Sequence, residues 1–368
     1  MATIDQEHDF GGVLHAPIVY EPNEDDLRHI QEIEDFLNET EIPFEKDEHF
    51  GIYHLNDRTL QLRYVASRHH GMDNSKRFPH LPKGIEHNYF VDISHWNASH
   101  GIRTIWLFDF ELEQKNDVVI DGELIKDHHR QKLVCFNSIK TACGKIDRRF
   151  YARDTEARMI SNAEARPFLE ANCFYGYRSA NPDGTVGLFL KKDKNGLKAG
   201  TLLEILSHGV NFYGQKNKMD RPPIEIIRAS TRLGCQVIGG LSKCLKHFLD
   251  THETLVAGGK EVKVDELIFY VDASHNDGRG MYSSAMGFEF VNWQNCGFMN
   301  EYLEDVVDID EETGKRLVGK KGEIFHRKPM FHKQIMKLIG QGRIVSIPNA
   351  GTIVCRTTRD EFLSRFKK

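Results

Sequence analysis

The pattern of hydrophobic and polar positions divides the chain into a helical leader followed by two stretches of alternating strands and helices. Leu27, Ile30, Ile33 and Leu37 recur at three- and four-residue spacing behind a capping residue, Asn23 or Glu24. That spacing predicts one amphipathic helix within an acidic leader over residues 1–45. Its apolar face is expected to pack on the segment that follows. In residues 46–145, Phe50–Tyr53 and Leu60–Val65 alternate like paired strands about an Asn56-Asp57 turn. The polar stretch 67–86 reads as a loop, and a helix is expected around Tyr89–His100. The nearly continuous apolar run from Gly101 to Phe108 suits a strand buried on both faces of a mixed sheet. Residues 109–143 are mostly charged and read as helical.

Residues 146–368 form a second α/β stretch. Phe150–Arg153 predicts a short strand. Ser161 and Glu164 form a capping box for a helix over Asn162–Ala171. A turn at Asn181–Gly184 precedes a strand at Val186–Leu190. Further strands are expected at Ile224–Ile227, Leu267–Val271 and Gly287–Val291, with a helix from about Ser242 to Leu249. Arg343–Cys355 reads as two strands around Asn349-Ala350-Gly351, a hairpin signal. The fold class is therefore α/β, of the α+β kind.

Composition narrows the function classes. No apolar run in the 368 residues approaches the roughly 20 that a bilayer span needs. The opening MATIDQEHDF lacks a basic-then-apolar export pattern. Seven scattered cysteines without a CxxC suit a reducing cytosol. The 19 histidines include the pairs His69-His70 and His128-His129, but none has zinc-site spacing. The net charge of −5 weighs against strong nucleic-acid binding by the whole chain, because such affinity comes mainly from neutralising phosphates. The densest positive stretch, His326, Arg327, Lys328, His332, Lys333 and Lys337, suggests a basic helix. It is either a solvated face or part of a nucleic-acid groove.

Two strings carry candidate chemistry. The first runs Glu225-Ile-Ile-Arg-Ala-Ser-Thr-Arg-Leu-Gly-Cys-Gln-Val-Ile-Gly-Gly-Leu-Ser-Lys. Gly239 and Gly240 allow close backbone approach. Ser242 and Lys243 stand at a helix start, where free amides and the helix dipole favour a phosphate, and Arg228 adds charge. A glycine turn that only lets helix and strand pack fits the same residues. The second string, Leu267-Ile-Phe-Tyr-Val-Asp-Ala-Ser-His-Asn-Asp-Gly-Arg-Gly-Met-Tyr-Ser-Ser-Ala-Met-Gly-Phe, ends a strand at Asp272 and carries Tyr282.

In that order the strings resemble the GNAT-like C-terminal domain of phage Hef-type homing endonucleases. They are also similar to Mom-type phage DNA-modification acyltransferases. Tyr151-Ala-Arg-Asp, the helix through Glu164 to Leu169 and Arg343–Gly351 extend the resemblance over roughly 146–368. It implies that Arg228, Gly239, Gly240, Ser242 and Lys243 hold the pyrophosphate of acyl-CoA. It further implies Tyr282 as general acid for a thiolate leaving group, and Asp272 as base or substrate-orienting group. A packed aromatic is an equal reading of Tyr282. One departure stands out: the relatives' His-x-Gln-Gly is replaced by Cys173-Phe174-Tyr175-Gly176.

Residues 46–145 resemble the Vsr-like, PD-(D/E)XK-type nuclease module that precedes this domain in the same endonucleases. The likeness rests on the strand pair, Tyr89-Phe-Val-Asp, and Gly101-Ile-Arg-Thr-Ile-Trp-Leu-Phe-Asp-Phe-Glu. Such a site needs acidic side chains to hold a metal that activates water. The two acidic positions align with Gly51 and Arg63, and the relatives' lysine-bearing helix reads Asp92-Ile93-Ser94. Asp109, Glu111 and Glu113 are the acids left to rebuild a metal site, and none is expected. The implied protein is a phage product working in the cytoplasm of the infected bacterium as a non-nucleolytic interaction factor. It would have no cofactor, and its partner would be another phage protein before nucleic acid. An acyl-CoA-dependent acyltransferase is the second reading, and an active homing-type endonuclease the third.

Overall fold

Residues 14–81, 83–177, 183–217, 219–282, 286–294, 297–310, 314, 316–326 and 332–367 are described by the computed structural model. The fold is mixed α/β, and the chain divides into two compact units. The first takes the chain up to Leu112, with Asp272–Asp277 and Trp293–Thr352. The second takes Glu113–Val271, Gly278–Asn292 and the chain from Ile353.

In the first unit, Asn23 caps α1 (Glu24–Glu39) and exchanges hydrogen bonds with Asp26 in a capping box. Ile33 and Leu37 are buried, but Leu27 faces outward, and Asp26 and His29 turn inward instead. Their burial is tolerable because both are answered: the Tyr64 hydroxyl donates to Asp26 at 3.0 Å and meets His29 Nδ1 at 2.9 Å. The sheet runs β1 (Phe44–Lys46), β2 (Ile52–Leu55), β3 (Leu60–Val65), β4 (Arg103–Phe108). Its first two pairings are antiparallel and β3–β4 is parallel. Between β3 and β4 lies α2 (Tyr89–Ser99), whose Phe90 packs edge-on against Trp106. The short α3 (Asp109–Glu113) follows β4.

The charged stretch 109–143, expected to be helical, is helical at its two ends, in α3 and α4 (Arg130–Ala142), with a hairpin between them. Strands β5 (Asn116–Ile120) and β6 (Glu123–His128) close on Asp121-Gly122, with φ of 52° and 90°, before α4. Asp-Gly between Val-Val-Ile and Leu-Ile is a strong two-residue turn signal, and it outweighs the local charge. Next come β7 (Arg148–Tyr151), β8 (Thr155–Ile160), α5 (Asn162–Asn172), β9 (Gly184–Leu190) and β10 (Leu202–Val210). They are followed by α6 (Phe212–Lys216), β11 (Ile224–Thr231), β12 (Cys235–Ile238) and α7 (Gly240–Thr251). A hairpin of β13 (Thr254–Ala257) and β14 (Lys260–Lys263) leads to β15 (Glu266–Asp272), α8 (Arg279–Tyr282) and β16 (Glu289–Gln294).

The chain then runs through β17 (Phe298–Tyr302), β18 (Val306–Ile309), β19 (Arg316–Gly319), β20 (Ile324–His326) and α9 (Lys333–Gly340). It ends with β21 (Ile344–Pro348), β22 (Thr352–Thr358) and α10 (Arg359–Ser364). A seven-stranded sheet has the order β16-β22-β15-β11-β10-β9-β8, with β11 and β15 parallel. Ile205 on β10 packs with Phe168, Leu169 and Cys173 of the α5 region. Its neighbour Glu204 points the opposite way, against Gly240 of α7. The two helices thus cover opposite faces, as strand alternation requires.

Two expectations fail here. The strands flanking Asn349-Ala350-Gly351 do not pair: β21 joins β17, while β22 lies in the seven-stranded sheet. The turn spends its hydrogen bonds elsewhere, with Gly297 N–H donating to the Asn349 side chain at 2.7 Å and Ala273 N–H to the Gly351 carbonyl at 3.1 Å. The basic stretch is not one helix. Only Lys333 and Lys337 lie on α9, which buries Ile335, Met336, Leu338 and Ile339, and Lys337 donates to Asp308 at 2.8 Å. Arg327 and Lys328, like Asn181 and Pro182 of the expected turn, fall outside the described residues. Among the described residues, no helix is long and apolar enough to cross a membrane.

Candidate functional site

In the first unit, Gly51 stands just before β2, and Arg63 lies on β3 paired with Ile52. Gly51 has φ +75° and packs on the Tyr64 side chain, so it serves the turn into β2. Arg63 on β3 is 5% exposed, and its guanidinium carbon lies 5.3 Å from the centre of the Trp106 ring. Its Nε donates to Gln61 Oε1 at 2.6 Å, and Asn97 donates to the same oxygen at 2.9 Å. Burial lowers the Arg63 pKa, with Tyr89 and Asp47 opposing, yet an arginine stays charged. Asp92 on α2 faces His15 Nε2 at 2.9 Å.

Two of the remaining acids, Asp109 and Glu111, accept hydrogen bonds from the protein's own donors. Asp109 accepts the Ser67 N–H at 2.8 Å, the Ser67 hydroxyl, and the Phe110 N–H at 2.8 Å. Glu111, fully buried, accepts the Phe108 N–H at 3.1 Å and faces His275 Nε2 at 3.2 Å. His275 Nδ1 in turn lies 3.5 Å from Asp272, whose Oδ1 accepts the Ser274 N–H at 2.9 Å. Desolvation raises both the Asp109 and Glu111 pKa values, the hydrogen bonds pulling the other way. Glu113 is exposed. Asp272 therefore ends its strand in a line of alternating carboxylate and imidazole groups. Neither Ser67 nor His275 was anticipated; the only signal is His275 three residues after Asp272.

The histidine pairs diverge. His69 stacks on Tyr20 at 4.2 Å, while His70 turns inward and bonds the Ala66 carbonyl through Nδ1 at 2.9 Å. His128 Nε2 meets the Ala171 carbonyl at 3.1 Å, and His129 sits at the start of α4.

In the second unit, the residues expected to hold a pyrophosphate are only partly assembled. Gly239 adopts φ +75° at the start of α7, a left-handed position that favours glycine. Gly240 lacks a side chain where the Glu204 carboxylate sits, so a methyl there would clash with that oxygen. The close approach is made by the protein's own carboxyl. Ser242 Oγ contacts Met286 Sδ at 2.7 Å. Lys243 Nζ donates to the Ala152 carbonyl at 2.8 Å and to the Thr155 carbonyl, and burial lowers its pKa. Arg228 belongs to the opposite, α5 face: its guanidinium lies 5.5 Å from the Tyr175 ring, and Nη1 donates to the Ile227 carbonyl at 2.7 Å. Tyr282 ends α8 with its ring edge-on to Phe290 at 5.8 Å. In the Cys173–Gly176 segment, Cys173 is buried, and Gly176 leaves room for the Arg130–Glu170 ion pair at 2.7 Å.

Sequence reasoning also missed two buried groups on β10. Desolvation alone pushes the Glu204 carboxyl up to about 8. His208, fully buried and stacked on Phe248 at 3.7 Å, has no hydrogen-bond partner at either ring nitrogen among the described residues. Burial, with His252 adding to it, holds its pKa down at about 3.

No family model matches the chain, and no curated protein matches it.

Proposed function

We propose that this chain is a non-nucleolytic interaction protein of a phage-infected bacterium, built on a degenerate Vsr-like nuclease unit and a GNAT-like unit. The observation that carries this reading is Arg63. By sequence pattern Arg63 matches a position where a nuclease of that type needs a carboxylate, and a buried, fixed positive charge repels a divalent ion. The engagement of Asp109 with Ser67 and Phe110, and of Glu111 with Phe108 and His275, supports it, because each carboxylate already serves the protein's own groups. The GNAT-like reading draws support from element order: a strand, two glycines opening a helix, a parallel strand, then Tyr282.

The acyltransferase reading is disfavoured by the engagement of Lys243 with two carbonyls and by Arg228 lying on the other face. A protein partner is favoured over nucleic acid by the net charge of −5. The test uses the full-length chain. Supercoiled plasmid incubated with magnesium or manganese should stay intact, and partners captured from infected cells should persist after nuclease treatment. Cleavage that is lost in Asp109→Ala overturns the reading.

A further inference from the structure

We propose that the pocket over Arg63 in the first unit binds a small oxyanion, the phosphate or carboxylate headgroup of a ligand. The pocket opens to solvent and its interior takes little more than one water-sized group, so an anion would enter it by an oxygen or two and leave the rest in the mouth. Arg63, Tyr20, Tyr64, His70, Tyr89 and Trp106 line it.

A guanidinium carries five N–H donors, and burying it without an anion is costly. Arg63 spends one donor, Nε, on the neutral Gln61 side chain. Among the described residues it makes no other hydrogen bond and no ion pair. The carboxylate that acts on it most, Asp47, is itself held by His49 at 2.8 Å and His54 at 3.0 Å. At the Tyr20 and Tyr64 side of the pocket the nearby carboxylates are Asp26 and Asp109. The first is bound by Tyr64 and Arg68, the second by Ser67. The Nη fork therefore has no internal anion to face, and its planar geometry matches the two oxygens of a carboxylate or phosphate.

The walls suit the same ligand. The aromatic rings surround the guanidinium with low-dielectric surface, which strengthens a charge-assisted hydrogen bond. Burial pushes the His70 pKa to about 4, so the ring is neutral at pH 7. With its Nδ1–H given to the Ala66 carbonyl, Nε2 remains an acceptor for a protonated phosphate oxygen. This site does not depend on the partner reading above: cleavage would sink that one, whereas the titration below decides this one.

The experiment titrates the full-length protein with sodium phosphate and, separately, with sodium acetate. Each is compared with sodium chloride at equal ionic strength, by tryptophan fluorescence and thermal shift. A saturable response beyond that of chloride is expected, and the salt that saturates at lower concentration identifies the headgroup. Arg63→Gln should weaken the apparent affinity at least tenfold, with Arg63→Lys intermediate. Gln61→Glu supplies an internal anion to Arg63 while still accepting from Asn97, and should abolish the response even if Arg63→Gln fails to fold. A response that follows ionic strength alone, or Gln61→Glu retaining the parent affinity, overturns the proposal.

Discussion

Two sets of interior ionisable groups, Asp109, Glu111 and Asp26 in the first unit and Glu204 and His208 in the second, are treated in opposite ways. In the first, Asp109, Glu111 and Asp26 lie in the interior, and each accepts hydrogen bonds from named neighbours. In the second, Glu204 owes its shift to desolvation alone, and His208 has neither ring nitrogen bonded among the described residues. Groups of the first kind are part of the fold's stability; groups of the second kind oppose it. The same substitution strategy should therefore have opposite signs in the two units.

The largest effect is expected in the first unit. Asp109→Ala strands the Ser67 N–H and the Phe110 N–H, and should lower the unfolding free energy by about 2–4 kcal/mol in urea titration. A neutral result would erase the contrast. In the second unit, Glu204 has a folded pKa of about 8 against an ordinary value of 4.5. Between those values the folded state holds a proton that the unfolded state releases. Stability thus falls as pH rises, by up to about 1.4 kcal/mol per unit, and levels off above 8. Glu204→Gln should remove that decline and give a net gain of about 1–3 kcal/mol at pH 8. An unchanged slope in denaturation midpoints between pH 5 and 8 would clear Glu204 of the cost.

His208 sharpens the comparison from the other side. Its folded pKa of about 3 lies below the ordinary 6.5, so stability falls as pH drops through that window. His208→Leu should flatten the acid limb and add about 1 kcal/mol at pH 5, leaving the alkaline limb unchanged. The smallest effect is outside both sets. Gly122→Ala, at φ +90° in the β5–β6 turn, should cost about 1 kcal/mol in a thermal scan, and tests whether that hairpin contributes to the second unit's stability.

Much of the local structure was legible. Spacing found α1, the β2–β3 pair, β4 and α5, because each rests on neighbours within a few residues. What failed needed distant partners. Leu27 gave up the inner face of α1 to Asp26 and His29 because Tyr64, far along the chain, could satisfy both. Asn349–Gly351 looked like a hairpin until Gly297 and Ala273 claimed its hydrogen bonds. At the candidate sites, the burial of Arg63 beside Gln61 and Trp106 depended on a parallel neighbour, β4, that its own string does not show. Gly240 was read as room for a ligand because nothing in the local string shows that Glu204 fills that space.

The tether from Lys243 to the Ala152 and Thr155 carbonyls makes the ammonium group a latch between the opening turn of α7 and the chain entering β8. Any anion that recruits this lysine must break that latch, so its arrival would loosen residues 152–155. A modification that neutralises the amine, such as acetylation, would release the same segment with no anion present.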